Sequence, residues 1–434
     1  MSRAGKSSQS PTRNTSLLLR ARVVVPLTRP PIADGAVLIT GKRIEAVGRW
    51  KDFRNEPGEE ATDLGEVALI PGLVNGHCHL DYTDMAGQLL PPKVFTDWLK
   101  LILVTKAGWS HNDYAESWRH GAAMLVRTGT TTVADIEAVP ELLPEAWKST
   151  PLRVISFLEI TGIRSRREPR AILHEAVERV RVLRNDRCRA ALSPHAPYST
   201  LPELLKLSAQ TAKQRKWRLA MHVAESALEF EMFAKGRGEM FDWLRRSGRD
   251  MSDSGQGSPV QRMACCGVLG ENLLAVHVNY LARKDALLLG KSRTHVVHCP
   301  RSHSYFRHGK FPLSKLRKAG VNICLGTDSL VSVCKPRRQS VELSMFEEMR
   351  ELSNKEPSIP AKTIVEMATI NGARALGMAR QVGEISEGAF ADLVCVPHAG
   401  RATKVYDALL QHKGAVTGSM IDGKWVIEPG VRKE

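Results

Sequence analysis

The sequence predicts an α/β fold: a (β/α)8 TIM barrel carrying a small β-sandwich domain formed from both termini. Three observations lead there. Eight apolar, strand-like runs recur between residues 69 and 327, and helical stretches separate most of them. On either side of this region the pattern changes to short strands joined by glycine turns, without intervening helices. No G-x-G-x-x-G follows the first run, so the phosphate loop expected of an open doubly wound sheet is missing.

The elements follow in order. Residues 1–15 are polar and basic, lack an apolar signal core, and are expected to be a loose tail. Residues 16–26, 36–40, 43–47 and 66–70 read as short strands, the middle two joined through Gly41 and Lys42. At the other end, residues 391–396 read as a strand, and residues 414–421 and 424–427 as a hairpin about Asp422 and Gly423. Neither end offers much apolar surface alone. Packed together they make one composite domain from residues 16–68 and 382–434, leaving 69–381 to the barrel. The barrel strands are expected at residues 69–80, 130–136, 152–160, 189–195, 218–224, 273–280, 294–299 and 321–327. Helices are expected at 114–126, 171–183, 202–215, 228–246 and, after the last strand, 342–350.

The unusual residues fall at the C-terminal ends of these strands. His77 and His79 are two apart at the end of the first, so both imidazoles point to the same side, which is half of a zinc or iron site. His195 ends the fourth strand, and His222 lies in the fifth with Glu225 three residues on. His277 lies in the sixth, His298 in the seventh with His303 just after, and Asp328 ends the eighth. Each alone has a plainer account: His222 as a satisfied core histidine, Asp328 as a helix cap, His298 stacked against Cys299 and Pro300. A polar side chain in an apolar strand is costly to bury without a partner, however, and six of the eight strands carry one at the same end. In a closed barrel those ends meet on one face, where such enzymes keep their chemistry. A metal site on that face is a better account than six unrelated core residues.

The composition is that of a globular protein, 43% hydrophobic and 25% charged over 434 residues. The formal net charge of +16 raises nucleic acid as a partner, but the basic residues are scattered and no nucleic-acid motif is present, so none is expected. The one tight cluster, Arg164, Arg166, Arg167 and Arg170, reads as a solvated loop. Eight cysteines without a C-x-x-C pair lie mostly in apolar runs, as buried free thiols in a reducing compartment would. No apolar stretch is long enough to cross a bilayer, and a soluble cytoplasmic protein without a membrane partner is expected. Around the site, Phe95, Trp98 and Trp109 follow the first strand. Trp98 either stacks on a substrate ring or packs inward.

The set made by His77, His79, the strand-five histidine and the strand-eight aspartate resembles the amidohydrolase superfamily. The likeness runs from the leading sheet to residues 383–393, which look like that family's return to its sheet domain. His222-x-x-Glu225, His277 and the ending Gly326-Thr327-Asp328 are most similar to the aminohydrolase branch. That branch holds the adenosine-type, methylthioadenosine/S-adenosylhomocysteine, aminofutalosine, guanine and cytosine deaminases, and the triazine chlorohydrolases. The resemblance implies that His77, His79, His222 and Asp328 hold one divalent ion, Zn²⁺ or Fe²⁺. Two-metal members use a carboxylated lysine from the fourth strand, and no lysine lies between Arg181 and Thr200. It further implies catalytic roles for Glu225, His277 and Asp328, and substrate contacts from His195, Trp98, His303 and Ser329. One departure bears on the pocket: the family's Pro-x-Ser-Asn after the seventh strand reads Pro300-Arg301-Ser302-His303 here. The expected reaction is hydrolysis of a non-peptide carbon–nitrogen bond, deaminating a small aminated purine-type base or nucleoside with release of ammonia. Opening of a cyclic amide and displacement of chloride from a triazine belong to the same kind of site. A barrel without chemistry is disfavoured because all the ligands and Glu225 are present. A homodimer is expected by analogy with relatives.

Overall fold

The computed structural model describes residues 16–53, 61–163 and 167–430. The expected N-terminal tail, and Arg164 and Arg166 of the arginine cluster, lie outside the described residues.

Eight parallel strands form the barrel: Leu73–Cys78, Thr130–Glu137, Arg153–Ile160, Arg189–Pro194, Leu219–Val223, Leu273–His277, His295–His298 and Ile323–Leu325. Each hydrogen-bonds to the next in chain order. Alternation sorts their side chains into two cores. Ile155 and Phe157 point into the barrel with Val74, Leu274, Val276 and Val297. Their neighbours Val154 and Leu158 point outward, to the surrounding helices.

Closure is made at one place. The first and eighth strands meet through a parallel bridge joining Cys78 to Asp328, and the Asp328 N–H donates to the His77 carbonyl at 3.0 Å. A Cβ on Gly326 would stand 2.8 Å from both the nitrogen and the oxygen of His77, so only glycine lets the two strands come this close. The residue that closes the barrel is therefore next to two of the expected ligands.

The termini share a second sheet. Its order across the sheet is Lys424–Ile427, Gly418–Ile421, Leu393–Pro397, Val67–Pro71, Ser16–Val24, Ile32–Thr40 and Arg43–Arg49, with Ala61–Asp63 also paired to Ser16–Val24. The two ends of the chain join where Leu393–Pro397 runs antiparallel to Val67–Pro71. This corrects one expectation. The apolar run read as a single strand from residue 69 is two strands. Val67–Pro71 belongs to the terminal sheet and Leu73–Cys78 to the barrel. Gly72 is the crossing point, with its N–H donating to Asp392 O at 2.8 Å and no room for a Cβ beside Thr131.

The expected helices occur as His111–Arg127, Pro169–Val182, Pro202–Arg215 and Met345–Lys355. The stretch 228–246 is two helices, Ala227–Lys235 and Glu239–Arg246, because Gly236 and Gly238 between them have φ of 63° and 104°. A helix the sequence reading did not place, Phe95–Ala107, follows the first strand. All eight cysteines are free; six are buried, whereas Cys265 and Cys334 are exposed. Among the described residues no helix is long and apolar enough to cross a membrane.

Arg153, at the start of the third barrel strand, ties the barrel to the terminal sheet. Its guanidinium donates to Asp392 at 2.6 and 3.3 Å, pairs with Asp422, and lies over the Phe390 ring at 3.6 Å. All three charged groups are buried. Removing one member strands the others without solvent. Arg153→Met should cost about 3–5 kcal/mol of unfolding free energy, measured by urea denaturation; a loss under about 1 kcal/mol, the ceiling for an exposed pair, would show the network to be peripheral.

Candidate active site

The polar residues at the strand ends converge on a cavity of about 440 Å³. His79, His195, His222, Glu225, His277 and Asp328 all line it. His77 lies behind them, fully buried. The donors fall into two groups of three that meet at His77. In one, His77, His79 and Asp328 have ligand atoms within 4.8 Å of one another; in the other, His77, His222 and His277 do. The expected quartet is thus spread over both groups, and His277 joins the second.

Each side chain is aimed by its backbone. Pairing of the fifth and sixth strands sets Val223 opposite His277. His222 Nδ1 donates to the His195 carbonyl at 2.9 Å, which leaves Nε2 with a free lone pair. Asp328 accepts from the Ser329 N–H at 2.8 Å and from the Ser302 and Ser332 hydroxyls at 2.7 and 3.3 Å. Its Oδ1, the oxygen that accepts the Ser329 N–H, lies 3.5 Å from His77 Nε2 and 3.8 Å from His79 Nε2. Ala224, His277, Val278 and Asp328 all adopt the left-handed region, at φ of 51°, 73°, 50° and 54°. Such conformations persist only where surrounding contacts over-determine them, and here four occur in one site.

The electrostatics suit a cation. Burial, with His77 close by, lowers His79 to about 3, and burial lowers His277 to about 3 as well. Burial, with His195 and His77 adding, holds His222 well below its usual value. Burial alone would raise the Asp328 carboxyl, but His77, His277 and His79 outweigh it and hold it well below the usual range. Neutral imidazoles around an ionised carboxylate are the protonation states that metal ligands require. Both ring nitrogens of His77, and Nε2 of His277, are buried without a hydrogen-bond partner. Orphaned buried donors of this kind are costly unless something binds them. The set fits a divalent metal ion.

Glu225 is the opposite case. Burial lifts its carboxyl well above the usual range, and Asp328 and Glu229 push it further, which favours the protonated form. Its Oε1 lies 3.6 Å from His277 Nε2. The backbone that presents it is clamped. Buried Glu229 accepts the Ala224 and Glu225 N–H groups at 3.0 and 2.9 Å, and Asn279 Nδ2 donates to Glu225 O at 2.9 Å.

His303 stands apart from the other expected residues. Expected at the substrate, it does not line the cavity. Its Nδ1 lies 3.0 Å from Asn279 Oδ1 and its Nε2 donates to Gly309 O at 2.8 Å, so both nitrogens are taken up behind Glu225. His298 also turns away, stacked on Phe311 at 3.8 Å. His195, Trp98 and Ser329 do line the cavity. Trp98 lines the cavity and also packs edge-on against Phe306 at 5.0 Å. His195 Nδ1 lies 2.6 Å from Ser199 Oγ, and its Nε2 is 4.0 Å from Glu159.

Sequence reasoning missed Glu159, Lys106, Glu229 and Asp135. Glu159 sits near the end of the third strand, a charge in an apolar run, and that signal was readable. Lys106 lines the cavity from the unexpected helix, its ammonium 4.8 Å from the Tyr82 ring centroid. Asp135, inside the second strand, accepts from Leu80 N at 3.1 Å, Trp118 Nε1 at 3.0 Å and Ser156 Oγ at 3.3 Å, and so anchors the chain just after His79.

Comparison with known proteins agrees with this geometry. The chain belongs to the amidohydrolase family, whose sequence profile matches residues 68–426. It is 30% identical to a 5-methylthioadenosine/S-adenosylhomocysteine deaminase of Syntrophobacter fumaroxidans over 383 residues, covering 83% of this chain and 80% of that one. It is 29% identical to a 5'-deoxyadenosine deaminase of Methanothermobacter thermautotrophicus, covering 85% and 83%. Among solved structures, a zinc-bound adenosine deaminase of Xanthomonas campestris superposes with a TM-score of 0.81 at 26% identity, over 95% of this chain and 92% of that one.

Burial raises the Asp135 carboxyl from 3.8 to about 7, against the hydrogen bonds from Trp118, Leu80 and Ser156. The folded chain therefore keeps a proton that the unfolded chain releases above 3.8. This stabilisation is fully present below the lower value and is lost as pH rises through the upper one. Measured by denaturation at stepped pH, the stability of the wild type relative to Asp135→Asn should fall between about pH 4 and pH 7. A difference that stays flat across that window would contradict the assignment.

Proposed function

We propose that the chain deaminates an aminated purine-type base or nucleoside by hydrolysis, releasing ammonia, with His77, His79, His222 and Asp328 holding one zinc ion. The observation that carries the reading is geometric: the His77, His79 and Asp328 ligand atoms gather in one cavity that Glu225 also lines, in surroundings that push the Glu225 carboxyl toward its protonated form and the Asp328 carboxyl toward its ionised form. Hydrolytic deamination needs both, an acid toward the ring and a base toward water. When bound, the cation supplies Lewis acidity that makes water nucleophilic near neutral pH.

The chain's own groups do the rest. Asp328 accepts the attacking water's proton, with His277 beside it. Glu225 gives its proton to a ring nitrogen of the substrate, which makes the adjacent carbon electrophilic. The former C–NH₂ nitrogen leaves as ammonia after a second proton transfer, and His195 faces the departing group. Ser329 borders the substrate through the Asp328 turn. The walls supplied by Trp98, Leu99, Ile102 and Phe306 suit a flat ring, and a cavity near 440 Å³ suits a ligand of nucleoside size. The names of the similar deaminases support this substrate class.

An ammonia-coupled screen of aminated purines and adenine nucleosides tests the reading, with methylthioadenosine and aminofutalosine included. At least one should release stoichiometric ammonia; silence across the panel from zinc-loaded protein would refute it. Glu225→Gln should retain zinc yet lower kcat by about 10²–10⁴-fold, the usual share of a general acid; a near-normal rate would remove Glu225 from the mechanism. His77→Ala and Asp328→Asn should each lose most of the bound zinc by elemental analysis of purified protein, whatever their activity.

A further inference from the structure

A second cavity, of about 590 Å³, opens among the beginnings of the barrel strands. It shares no lining residue with the first. Arg189 starts the strand after which His195 comes, and Arg218 immediately precedes the strand that carries His222. The two cavities therefore lie at opposite ends of the same strands. Five of the residues lining the second are cationic and none is acidic.

These charges are poorly matched. Arg181 is satisfied by Glu178 at 3.0 and 3.1 Å. Among the described residues, Arg184, Arg189, Lys216 and Arg218 have no carboxylate oxygen within 4.0 Å. Arg189 reaches only the carbonyl of Leu376, at 3.4 Å, and Arg218 donates to the carbonyl of Glu271. Gly377, at φ of 71°, leaves the space that the Arg218 guanidinium occupies; a Cβ there would stand 2.5 Å from Nη2. Burial lowers the pKa of both Arg189 and Arg218; for Arg218 the Glu271 carboxylate, beyond ion-pair distance, opposes the shift, and the proximity of Arg189 adds to it. Like charges gathered in a recess repel one another, and water relieves the repulsion only in part. A multiply charged anion would relieve the rest. Guanidinium groups match phosphate by planar, two-point hydrogen bonding. The recess also has an apolar side, made by Ile155, Ala191, Leu376 and the Trp217 indole. That side leaves room for a flat ring next to the charges.

We propose that this recess binds a small phosphate-bearing anion, with Arg184, Arg189, Lys216 and Arg218 holding the phosphates. The site is separate from the candidate active site, and it gives a use to part of a +16 charge that deamination does not call on. The phosphates come either from an inorganic polyphosphate or from a nucleotide whose base lies on Trp217.

The test is calorimetric titration of the full chain at low salt with inorganic tripolyphosphate, ATP and adenosine. Saturable binding of tripolyphosphate is expected, weakening as salt rises. Arg184→Gln/Arg189→Gln, which removes two cations without an ion pair, should weaken it at least about tenfold, a modest share of two charge-assisted hydrogen bonds. Arg245→Gln/Arg246→Gln, an equal loss of charge elsewhere on the surface, should leave it unchanged. If the first pair does not fold, Lys216→Asn makes the same comparison, since its backbone is left-handed at φ of 56° and asparagine tolerates that region. ATP binding more tightly than tripolyphosphate, with the gain lost in Trp217→Leu, assigns the site to a nucleotide; equal affinities assign it to inorganic polyphosphate. Absence of saturable binding overturns the proposal. So does binding that both double variants weaken alike, or that neither weakens.

Discussion

The close approach of the first and eighth barrel strands is the constraint on which the site depends. The bridge from Cys78 to Asp328, and the hydrogen bond from Asp328 N to His77 O, are made where Gly326 has no side chain to keep the strands apart. A larger residue there would push back the strand end that carries Asp328. That would separate it from His77 and His79, which lie 3.5 and 3.8 Å from its carboxylate. Closing the barrel and assembling the donors are one event. The left-handed turns at Asp328 and His277 are held in place by the same packed strands.

Once the ends are together, burial divides the titratable groups by their neighbours. The imidazoles lose their charged form because little solvent reaches them. Asp328 keeps its charge because three histidines face it. Glu225, 3.6 Å from His277, also feels Asp328 and Glu229, and burial with these two carboxylates pushes it toward its protonated form. Two carboxyl groups in one cavity are thus pushed in opposite directions by placement alone, the general way in which one fold runs acid and base chemistry together. The clamp behind Glu225, built from Glu229, Asn279 and His303, keeps its backbone fixed while the side chain stays free to act.

Much of this was legible before any coordinates, and what was missed shares a physical character. His77, His79, His222 and Asp328 announce themselves because each interrupts an apolar strand, and the cost of burying such a residue is a local property of the chain. The eight strand periods and the glycine-turn ends are local in the same sense. Residues 69–71 read as the start of the barrel strand because hydrophobicity runs on from Val67–Pro71 into Leu73–Cys78. Only the pairing of Val67–Pro71 with Leu393–Pro397 shows where one sheet stops. The position of His303 after the seventh strand says nothing about which way its ring turns; the contacts to Asn279 and Gly309 set that. Lys106 had no signal, because the helix carrying it lacks a clear apolar stripe.

The sequence by itself determined the architecture, the metal-site residue types and the family, because periodicity, turn chemistry and the price of a buried polar group all act over a few residues. Tertiary structure alone decided which donors share His77, which carboxyl is charged, that His303 supports Glu225 from behind, and that four unpaired cations gather beneath the barrel. Those are distances and fields between groups far apart along the chain, and they take values only once the backbone has brought the groups together.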